Sequence, residues 1–311
     1  MTDAILFASD IDDPAPWRKV MAQAFPALEF RVFPALGRIE EIRYALIWKI
    51  KGGVLATLPN LRAVFALGAG VDQILIDPLF PRHVPLARLV EAGLAEQMSE
   101  YAMLAALYFH RNLAGYMAQQ RRREWRMLPG RHPAERTVGV MGLGVLGGDA
   151  ARKLAMMGFT TLGWSRTHKA LPGIQCFAGP AEQAAFLARS EILINLLPLT
   201  AETRGILARP LFDALPDGAF IAHMGRGGQL VEADLLAALD RGKLGGAMLD
   251  VFPQEPLPQE SPLWAHPKVI VTPHASTQPI AALAERQVVE NMRRLQSGET
   301  LIGLVDPRVG Y

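Results

Sequence analysis

The chain has 311 residues, of which 50% are hydrophobic and 20% are charged, and its formal net charge is +2. This composition excludes a disordered chain, and the near balance of charge argues against a nucleic-acid or anionic-membrane partner. The length predicts two domains, each with its own core. We predict a cytoplasmic protein without a membrane span, because the sequence shows a single cysteine, Cys176, no basic leader and no long apolar run.

Short apolar runs alternate with helical patterns in the first third of the chain. We predict buried parallel strands at residues 4–9, 29–33, 44–48, 63–67 and 86–90, and an amphipathic helix at residues 17–25. Ser99 is the predicted N-cap of a long helix over residues 100–126. The arginines near the end of this helix are interpreted as a solvated face, with a subunit contact as the functional alternative.

A second series of strands and helices follows. Its predicted strands are residues 137–141, 160–164, 192–196, 219–224, 247–251 and 268–272, and its predicted helices are 146–157, 180–188, 208–215, 232–241 and 280–297. Strict alternation of strand and helix is typical of a doubly wound parallel sheet. The predicted fold class is therefore α/β, with two doubly wound, Rossmann-like parallel-sheet domains.

A glycine-rich turn lies between the predicted strand 137–141 and the helix that follows. Gly142, Gly144 and Gly147 form the pattern G-x-G-x-x-G, which indicates a dinucleotide site when a strand precedes it and a helix follows. Gly142 would allow the tight turn, Gly144 the approach of backbone amides to a pyrophosphate, and Gly147 close packing of helix on strand. The intervening residues Leu143, Val145 and Leu146 complete the predicted cofactor loop.

The segment after the next strand lacks the carboxylate that binds the adenosine ribose in NAD enzymes. It reads Trp-Ser-Arg-Thr-His-Lys and begins at Trp164. Arg166 can pair with a 2′-phosphate, and Ser165, Thr167 and Lys169 can add further hydrogen bonds or charge. We therefore expect NADPH as the cofactor, with NADH as the weaker alternative. The competing interpretation is an ordinary polar loop.

Three residues suited to 2-oxo acid reduction each follow a predicted strand. Arg226 can bind a carboxylate, His274 can donate a proton near neutral pH, and Glu255 can partner the histidine. Singly they can be interpreted as a surface turn residue, a helix-cap histidine and a solvated acid. Because open α/β sheets place their sites at the carboxyl ends of strands, their joint placement predicts a catalytic site. No metal is expected there.

Taken together, these motifs resemble the D-isomer-specific 2-hydroxyacid dehydrogenases over essentially the whole chain. The residues that carry the resemblance are LGAGVD at 67–72, MGLGVLG at 141–147, LLPLTAETRGI at 196–206, GRGG at 225–228, LDVFPQEPLP at 249–258 and TPHAS at 272–276. Within the family the chain is similar to the glyoxylate/hydroxypyruvate reductase A branch, through SPLW at 261–264, WSR at 164–166 and the ending VDPRVGY. That branch favours NADPH.

The resemblance implies roles for the matching positions. Arg226 would bind the substrate carboxylate and keto oxygen, His274 would protonate that oxygen, and Glu255 would favour the protonated imidazole. Asp250 would help to seat the nicotinamide amide. Further cofactor contacts are implied for Leu197, Pro198, Met224, Gly225 and Ser276. The substrate pocket would include Trp48, Leu67, Gly68, Ala69, Gly70 and Trp264, the two tryptophans narrowing it for a small 2-oxo acid.

The resemblance also implies the domain organisation. Residues 1–98 with 280–311 would form a flavodoxin-like substrate domain, and residues 99–279 a Rossmann NADP-binding domain, with the active site in the cleft between them. A homodimer is expected. Two positions depart from the family pattern: His223 stands where most relatives have Asn, and Gly225 where they have Ala or Ser. His223 is interpreted as a tolerated replacement, or alternatively as a contact to the nicotinamide ribose.

Other functions on the same scaffold remain open from the sequence. A formate or phosphonate dehydrogenase would share the fold, and so would a 2-hydroxyacid dehydrogenase of broader specificity that uses NAD. A protein that binds dinucleotides without catalysis is the alternative from another class, because fold alone does not establish activity. The set Arg226, Glu255 and His274 favours reduction of glyoxylate to glycolate and of hydroxypyruvate to D-glycerate.

Overall fold

The computed structural model of the chain describes residues 3–90 and 93–306. Residues 307–311, which include most of the VDPRVGY ending and the end of the predicted substrate domain, lie outside the described residues. The chain divides into two compact units, Met1–Leu94 with Pro279–Tyr311, and Ala95–Gln278. Along the described ranges, no helix combines the length and the apolar character that crossing a membrane requires.

The first unit is built on a parallel sheet. Its described strands are β1 (Ala4–Ala8), β2 (Glu29–Val32), β3 (Ile42–Ile47), β4 (Ala63–Ala66) and β5 (Leu86–Ala87). Their order across the sheet is β2-β1-β3-β4-β5, the doubly wound order found in flavodoxin. Every residue of β1 is buried, because a central parallel strand is covered on both faces.

Helices cover this sheet. Helix α1 (Pro14–Ala24) begins after Asp13, whose carboxylate accepts a hydrogen bond from the Ala15 amide at 2.9 Å. It buries Trp17 and Met21 in the same apolar core as α9 (Ala281–Ser297). The short helix α2 (Asp72–Leu75) was not predicted, since four residues are too few to show helical periodicity.

The second unit carries the longer parallel sheet. Its described strands are β6 (Thr137–Met141), β7 (Thr160–Ser165), β8 (Gln175–Ala178), β9 (Ile192–Asn195), β10 (Ala219–His223), β11 (Leu244–Leu249) and β12 (Val269–Val271). The order is β12-β11-β10-β9-β6-β7-β8, so the direction in which successive strands are added across the sheet reverses between β6 and β9. In open α/β sheets ligands bind at the carboxyl ends of the strands beside such a reversal. The helices of this unit are α3 (Leu94–His110), α4 (Leu113–Arg122), α5 (Val145–Met156), α6 (Gly179–Leu187), α7 (Arg209–Ala214) and α8 (Glu232–Asp240).

The predicted fold class is confirmed, but the prediction of one long helix over residues 100–126 is wrong. The helical segment begins at Leu94 and breaks into α3 and α4 at Asn112, which has a left-handed φ of 55°. Asn112 also donates through Nδ2 to the Pro129 carbonyl oxygen at 2.9 Å, so its side chain stabilises the break. Ser99 does not cap a helix: it is fully buried inside α3 and donates to the Ala95 carbonyl oxygen. The edge strand β8 was also missed, because it is short and only partly buried.

Candidate active site

The glycine-rich turn joins β6 to α5. Gly142 has φ of 97°, and a Cβ built there would lie 2.7 Å from the Leu196 carbonyl oxygen. A Cβ on Gly147 would lie 1.8 Å from the Gly142 carbonyl oxygen, so no other residue fits. At Gly144, the N-cap of α5, no described atom lies within 4 Å of an added Cβ. The turn is therefore closed on its packed side and open at Gly144, where a pyrophosphate would reach the amides at the start of α5. Within this turn Leu143 is buried, Val145 is exposed and Leu146 is partly buried.

The segment after β7 presents its charged side chains to solvent. Arg166, Thr167 and Lys169 are exposed, whereas Ser165 is buried and donates its hydroxyl proton to the Thr167 carbonyl oxygen at 2.7 Å. Ser165 therefore shapes the turn. The pKa of Glu202 is lowered, first by a hydrogen bond from Thr200 and also by the charge of Arg166. The fold thus brings a carboxylate near Arg166 that the local sequence does not contain.

The side chains of His274 and Glu255, predicted as an acid–base pair, lie in contact. His274 Nδ1 lies 2.9 Å from Glu255 Oε2, and Glu255 Oε1 accepts the Phe252 amide at 2.9 Å. Burial by itself would raise the pKa of Glu255, but the hydrogen bonds from His274 and Phe252 outweigh burial and leave it lowered. His274 has a left-handed φ of 52°, which is rare for a residue other than glycine. Such strain is typical of functional sites.

Asp250 holds the loop that carries His274. This fully buried carboxylate accepts hydrogen bonds from the Thr272 hydroxyl at 2.6 Å and from the amides of Ala275 and Ser276 at 2.8 and 2.9 Å. Its main-chain oxygen accepts the His274 amide at 2.8 Å. The contacts of Asp250 within the second unit therefore position the histidine loop, a task that the sequence did not reveal.

Arg226 follows β10 and lies in the same neighbourhood. Its guanidinium donates to the Gly225 carbonyl oxygen at 2.9 Å, and its charge is one of the causes that lower the pKa of Glu255. Arg226, Glu255 and His274 follow β10, β11 and β12, which are adjacent in the sheet. The structure therefore brings the three predicted catalytic residues to one edge.

The residues that follow β9 and β10 are linked by buried polar side chains. Gln229 Nε2 donates to the carbonyl oxygens of Leu197 and Pro198 at 3.1 and 3.0 Å. Met224 is buried, and its amide donates to the Asn195 carbonyl oxygen at 3.2 Å. Asn195 and Gln229 were missed by the sequence reasoning, because an amide residue carries no pattern that reveals its burial.

The predicted substrate residues of the first unit also lie together. A Cβ on Gly68 would lie 2.6 Å from Trp48 Cζ3, so the indole packs directly on the glycine, next to buried Leu67. The amides of Gly68, Ala69 and Gly70 make no hydrogen bond within the part of the chain that the structure describes.

Arg88 was not predicted. Its Nη1 lies 3.4 Å from the Ala69 carbonyl oxygen, and burial lowers its pKa. The remaining predicted substrate residue, Trp264, belongs to the second unit, where it is 53% exposed and donates from Nε1 to the Pro258 carbonyl oxygen at 2.9 Å.

The second unit combines a doubly wound sheet, a glycine turn after its first strand and a histidine–carboxylate pair beside an arginine. Together these features define a nicotinamide-dependent oxidoreductase. Residues 103–276 match the family model for the D-isomer specific 2-hydroxyacid dehydrogenase, NAD binding domain. The chain belongs to this family, as the resemblance in its sequence predicted.

Solved structures of relatives agree with this assignment over the full chain. A D-isomer specific 2-hydroxyacid dehydrogenase from Xanthobacter autotrophicus Py2, in complex with NADPH and MES, is 42% identical, with 100% of each chain covered and a TM-score of 0.94. An NADPH-dependent glyoxylate/hydroxypyruvate reductase from Sinorhizobium meliloti, in complex with NADP and sulfate, is 40% identical over 99% of this chain and 100% of its own, with a TM-score of 0.92. A probable 2-hydroxyacid dehydrogenase from Rhizobium etli CFN 42, in complex with NADP, HEPES and L(+)-tartaric acid, is 38% identical over 99% of each chain, with a TM-score of 0.90.

Proposed function

We propose that this protein reduces small 2-oxo acids with NADPH, converting glyoxylate to glycolate and hydroxypyruvate to D-glycerate. The observation that carries the proposal is the 2.9 Å contact between His274 Nδ1 and Glu255 Oε2 beside Arg226. A histidine held by a carboxylate is a proton donor suited to neutral pH, and an adjacent guanidinium binds a carboxylate.

Proton transfer is assigned to His274. Glu255 holds the ring through Nδ1 and stabilises the positive charge of the imidazolium, so the opposite nitrogen, Nε2, would deliver the proton to the keto oxygen. The lowered pKa of Glu255 keeps its carboxylate charged at neutral pH. Once the proton has left, the uncharged ring keeps its orientation through the same contact.

Substrate binding is assigned to Arg226 and to the loop of the first unit. Arg226 would pair with the substrate carboxylate and polarise the keto oxygen. In the first unit the amides of Gly68, Ala69 and Gly70 would donate to an anionic group, with the Arg88 guanidinium adding positive charge beside them. The Trp48 ring, packed on Gly68, would restrict the length of the substrate.

The residues present fit NADPH. The open side of Gly144 would admit the pyrophosphate, and the exposed Arg166 would pair with a 2′-phosphate. When bound, NADPH supplies the hydride that adds to the keto carbon. The relatives from Xanthobacter, Sinorhizobium and Rhizobium, which bind NADPH or NADP, support this choice.

A kinetic matrix tests the proposal. NADPH and NADH are each combined with glyoxylate, hydroxypyruvate, pyruvate and longer 2-oxo acids, and the loss of cofactor absorbance is followed. We expect the highest kcat/KM for NADPH with glyoxylate or hydroxypyruvate. No turnover with any 2-oxo acid would refute the function, and equal efficiency with NADH would refute the cofactor assignment.

The role of Arg166 has its own variant. Arg166→Gln should raise KM for NADPH about 10- to 100-fold while leaving KM for NADH nearly unchanged, since a charged hydrogen bond contributes about 1.5–3 kcal/mol. Arg62→Gln, which changes an exposed arginine of the first unit, is the matched control and should alter neither value.

We also propose that the protein is a homodimer through the surface of α3 and α4. This surface exposes several large apolar side chains, a composition typical of a subunit contact. They are Leu104, Leu107, Leu113 and Met117 on the two helices, and Trp125 just after the end of α4. Light scattering during size-exclusion chromatography should give twice the 34.0 kDa chain mass. A monomeric mass at micromolar concentration would refute the dimer.

A further inference from the structure

His223 ends β10 with a fully buried imidazole whose two nitrogens have different neighbours. Nδ1 lies 3.1 Å from Asn195 Nδ2, and Nε2 lies 3.1 Å from the Arg226 carbonyl oxygen. An amide nitrogen donates and a carbonyl oxygen accepts, so Nδ1 accepts and Nε2 carries the proton. These neighbours select one neutral tautomer, which donates to the main chain of Arg226. Burial lowers the pKa of His223 to about 4, in agreement with a neutral ring.

Gln229 holds the other main-chain group of Arg226. Its Oε1 accepts the Arg226 amide at 3.0 Å and Asn195 Nδ2 at 2.9 Å. Its Nε2 donates to the carbonyl oxygens of Leu197 and Pro198. Buried hydrogen bonds therefore hold Arg226 through both its amide and its carbonyl, and the same glutamine reaches the segment after β9.

The position of Gln229 depends on Gly225. A Cβ built on Gly225 would lie 2.3 Å from Gln229 Oε1, and 3.0 Å from both Asn195 Nδ2 and the Leu197 carbonyl oxygen. An alanine or serine at this position would displace the Gln229 amide that accepts from Arg226. His223 and Gly225 therefore lie in one hydrogen-bonded cluster.

We propose that His223, Asn195 and Gln229 form a buried clamp that positions Arg226 for the substrate, and that Gly225 is required here because it makes room for Gln229. The proposal rests on the proposed function, in which Arg226 binds the substrate carboxylate. The three clamp residues act through the main chain of Arg226 and are positioning residues.

Protonation of His223 would open the clamp. A proton on Nδ1 would face the donor Asn195 Nδ2 and replace an attraction with a repulsion. The charged groups that act on the ring are Asp250, Arg226 and Glu255, and the strand on its other side contributes the uncharged Asn195. The clamp is therefore closed at neutral pH.

A matched pair of substitutions tests the two halves of the imidazole separately. In His223→Gln the amide nitrogen reaches the position of Nε2 and can still donate to the Arg226 carbonyl, whereas in His223→Asn the shorter amide replaces only Nδ1. We expect kcat/KM for glyoxylate to stay within about threefold of wild type in His223→Gln and to fall about 10- to 100-fold in His223→Asn, because a misplacement of about 1 Å has an effect of that size. KM for NADPH should change in neither variant.

A role limited to folding would lower the urea midpoint of both His223 variants without separating their kcat/KM values. Equal values for the Gln and Asn variants, whether high or low, would therefore overturn the proposal.

A double-mutant cycle tests the requirement for Gly225 without changing His223. Gly225→Ala should lower kcat/KM about 10-fold in the wild-type background, and by a smaller factor when Gln229→Ala has already removed the amide that would lie 2.3 Å from the new Cβ. The same fold reduction in both backgrounds would overturn the proposal. If the wild-type protein reduces no 2-oxo acid, the proposed function fails. The double-mutant cycle is then measured by urea unfolding. In that case the absence of coupling between Gly225→Ala and Gln229→Ala would overturn the clamp.

Discussion

Acid should destabilise this protein through His223, because the folded chain holds that imidazole neutral. Burial lowers its pKa from 6.5 to about 4, whereas a histidine in the unfolded chain keeps its ordinary value. Between these pH values the unfolded chain binds a proton that the folded chain does not, so the free energy of unfolding falls as the pH is lowered. At about 1.36 kcal/mol per pKa unit the full loss is about 3 kcal/mol, of which about 2 kcal/mol is reached by about pH 5.

Urea unfolding followed by circular dichroism measures this loss. Wild type and His223→Gln are compared from about pH 7 to about pH 4.5, since glutamine does not titrate and all other groups are common to both. The wild type should lose about 2 kcal/mol more than the variant by about pH 5, a large part of the roughly 5–15 kcal/mol typical of folded proteins. Parallel pH dependences for the two proteins would refute the buried neutral state.

Three further substitutions test the site. Glu255→Gln should lower kcat about 100-fold or more, because a neutral amide does not stabilise the positive charge of the His274 ring that donates the proton; an unchanged kcat would contradict the pairing. Gly147→Ala should abolish NADPH binding in a fluorescence titration, since its Cβ would lie 1.8 Å from a backbone oxygen. The control is Gly130→Ala, whose Cβ has no described atom within 4 Å, and this variant should bind NADPH normally. Arg88→Gln should raise KM for glyoxylate about 10-fold or more at constant KM for NADPH, through the loss of a charged contact to the substrate carboxylate; an unchanged KM for glyoxylate would remove this residue from the binding site.

Local patterns in the sequence predicted the parts of the second unit that depend on neighbouring residues. The spacing of Gly142, Gly144 and Gly147 follows from the turn between a strand and a helix, and the structure has that turn between β6 and α5. Arg226, Glu255 and His274 were placed together because each follows a strand, and parallel strands end at the same edge of a sheet.

Other features could not be predicted, because they depend on contacts between distant residues. The long helix expected over residues 100–126 breaks at Asn112, whose side chain bonds to Pro129, and helical periodicity alone cannot show that contact. Likewise, Arg166 has a carboxylate neighbour, Glu202, from another part of the chain. Arg88 lies beside Ala69 only because β5 follows β4 in the sheet.

The sequence by itself determined the fold class, the family and the contact between His274 and Glu255, because hydrophobic periodicity, turn glycines and polar residues at strand ends are local signals. Only the tertiary structure decided the place of His223, which the sequence left as a tolerated replacement or a ribose contact. In the fold it is fully buried and donates to Arg226, in a cluster with Asn195 and Gln229 that requires Gly225. A buried polar group is stable only when its hydrogen bonds are satisfied, and the partners of His223 come from the adjacent strand β9 and from the turn that follows β10.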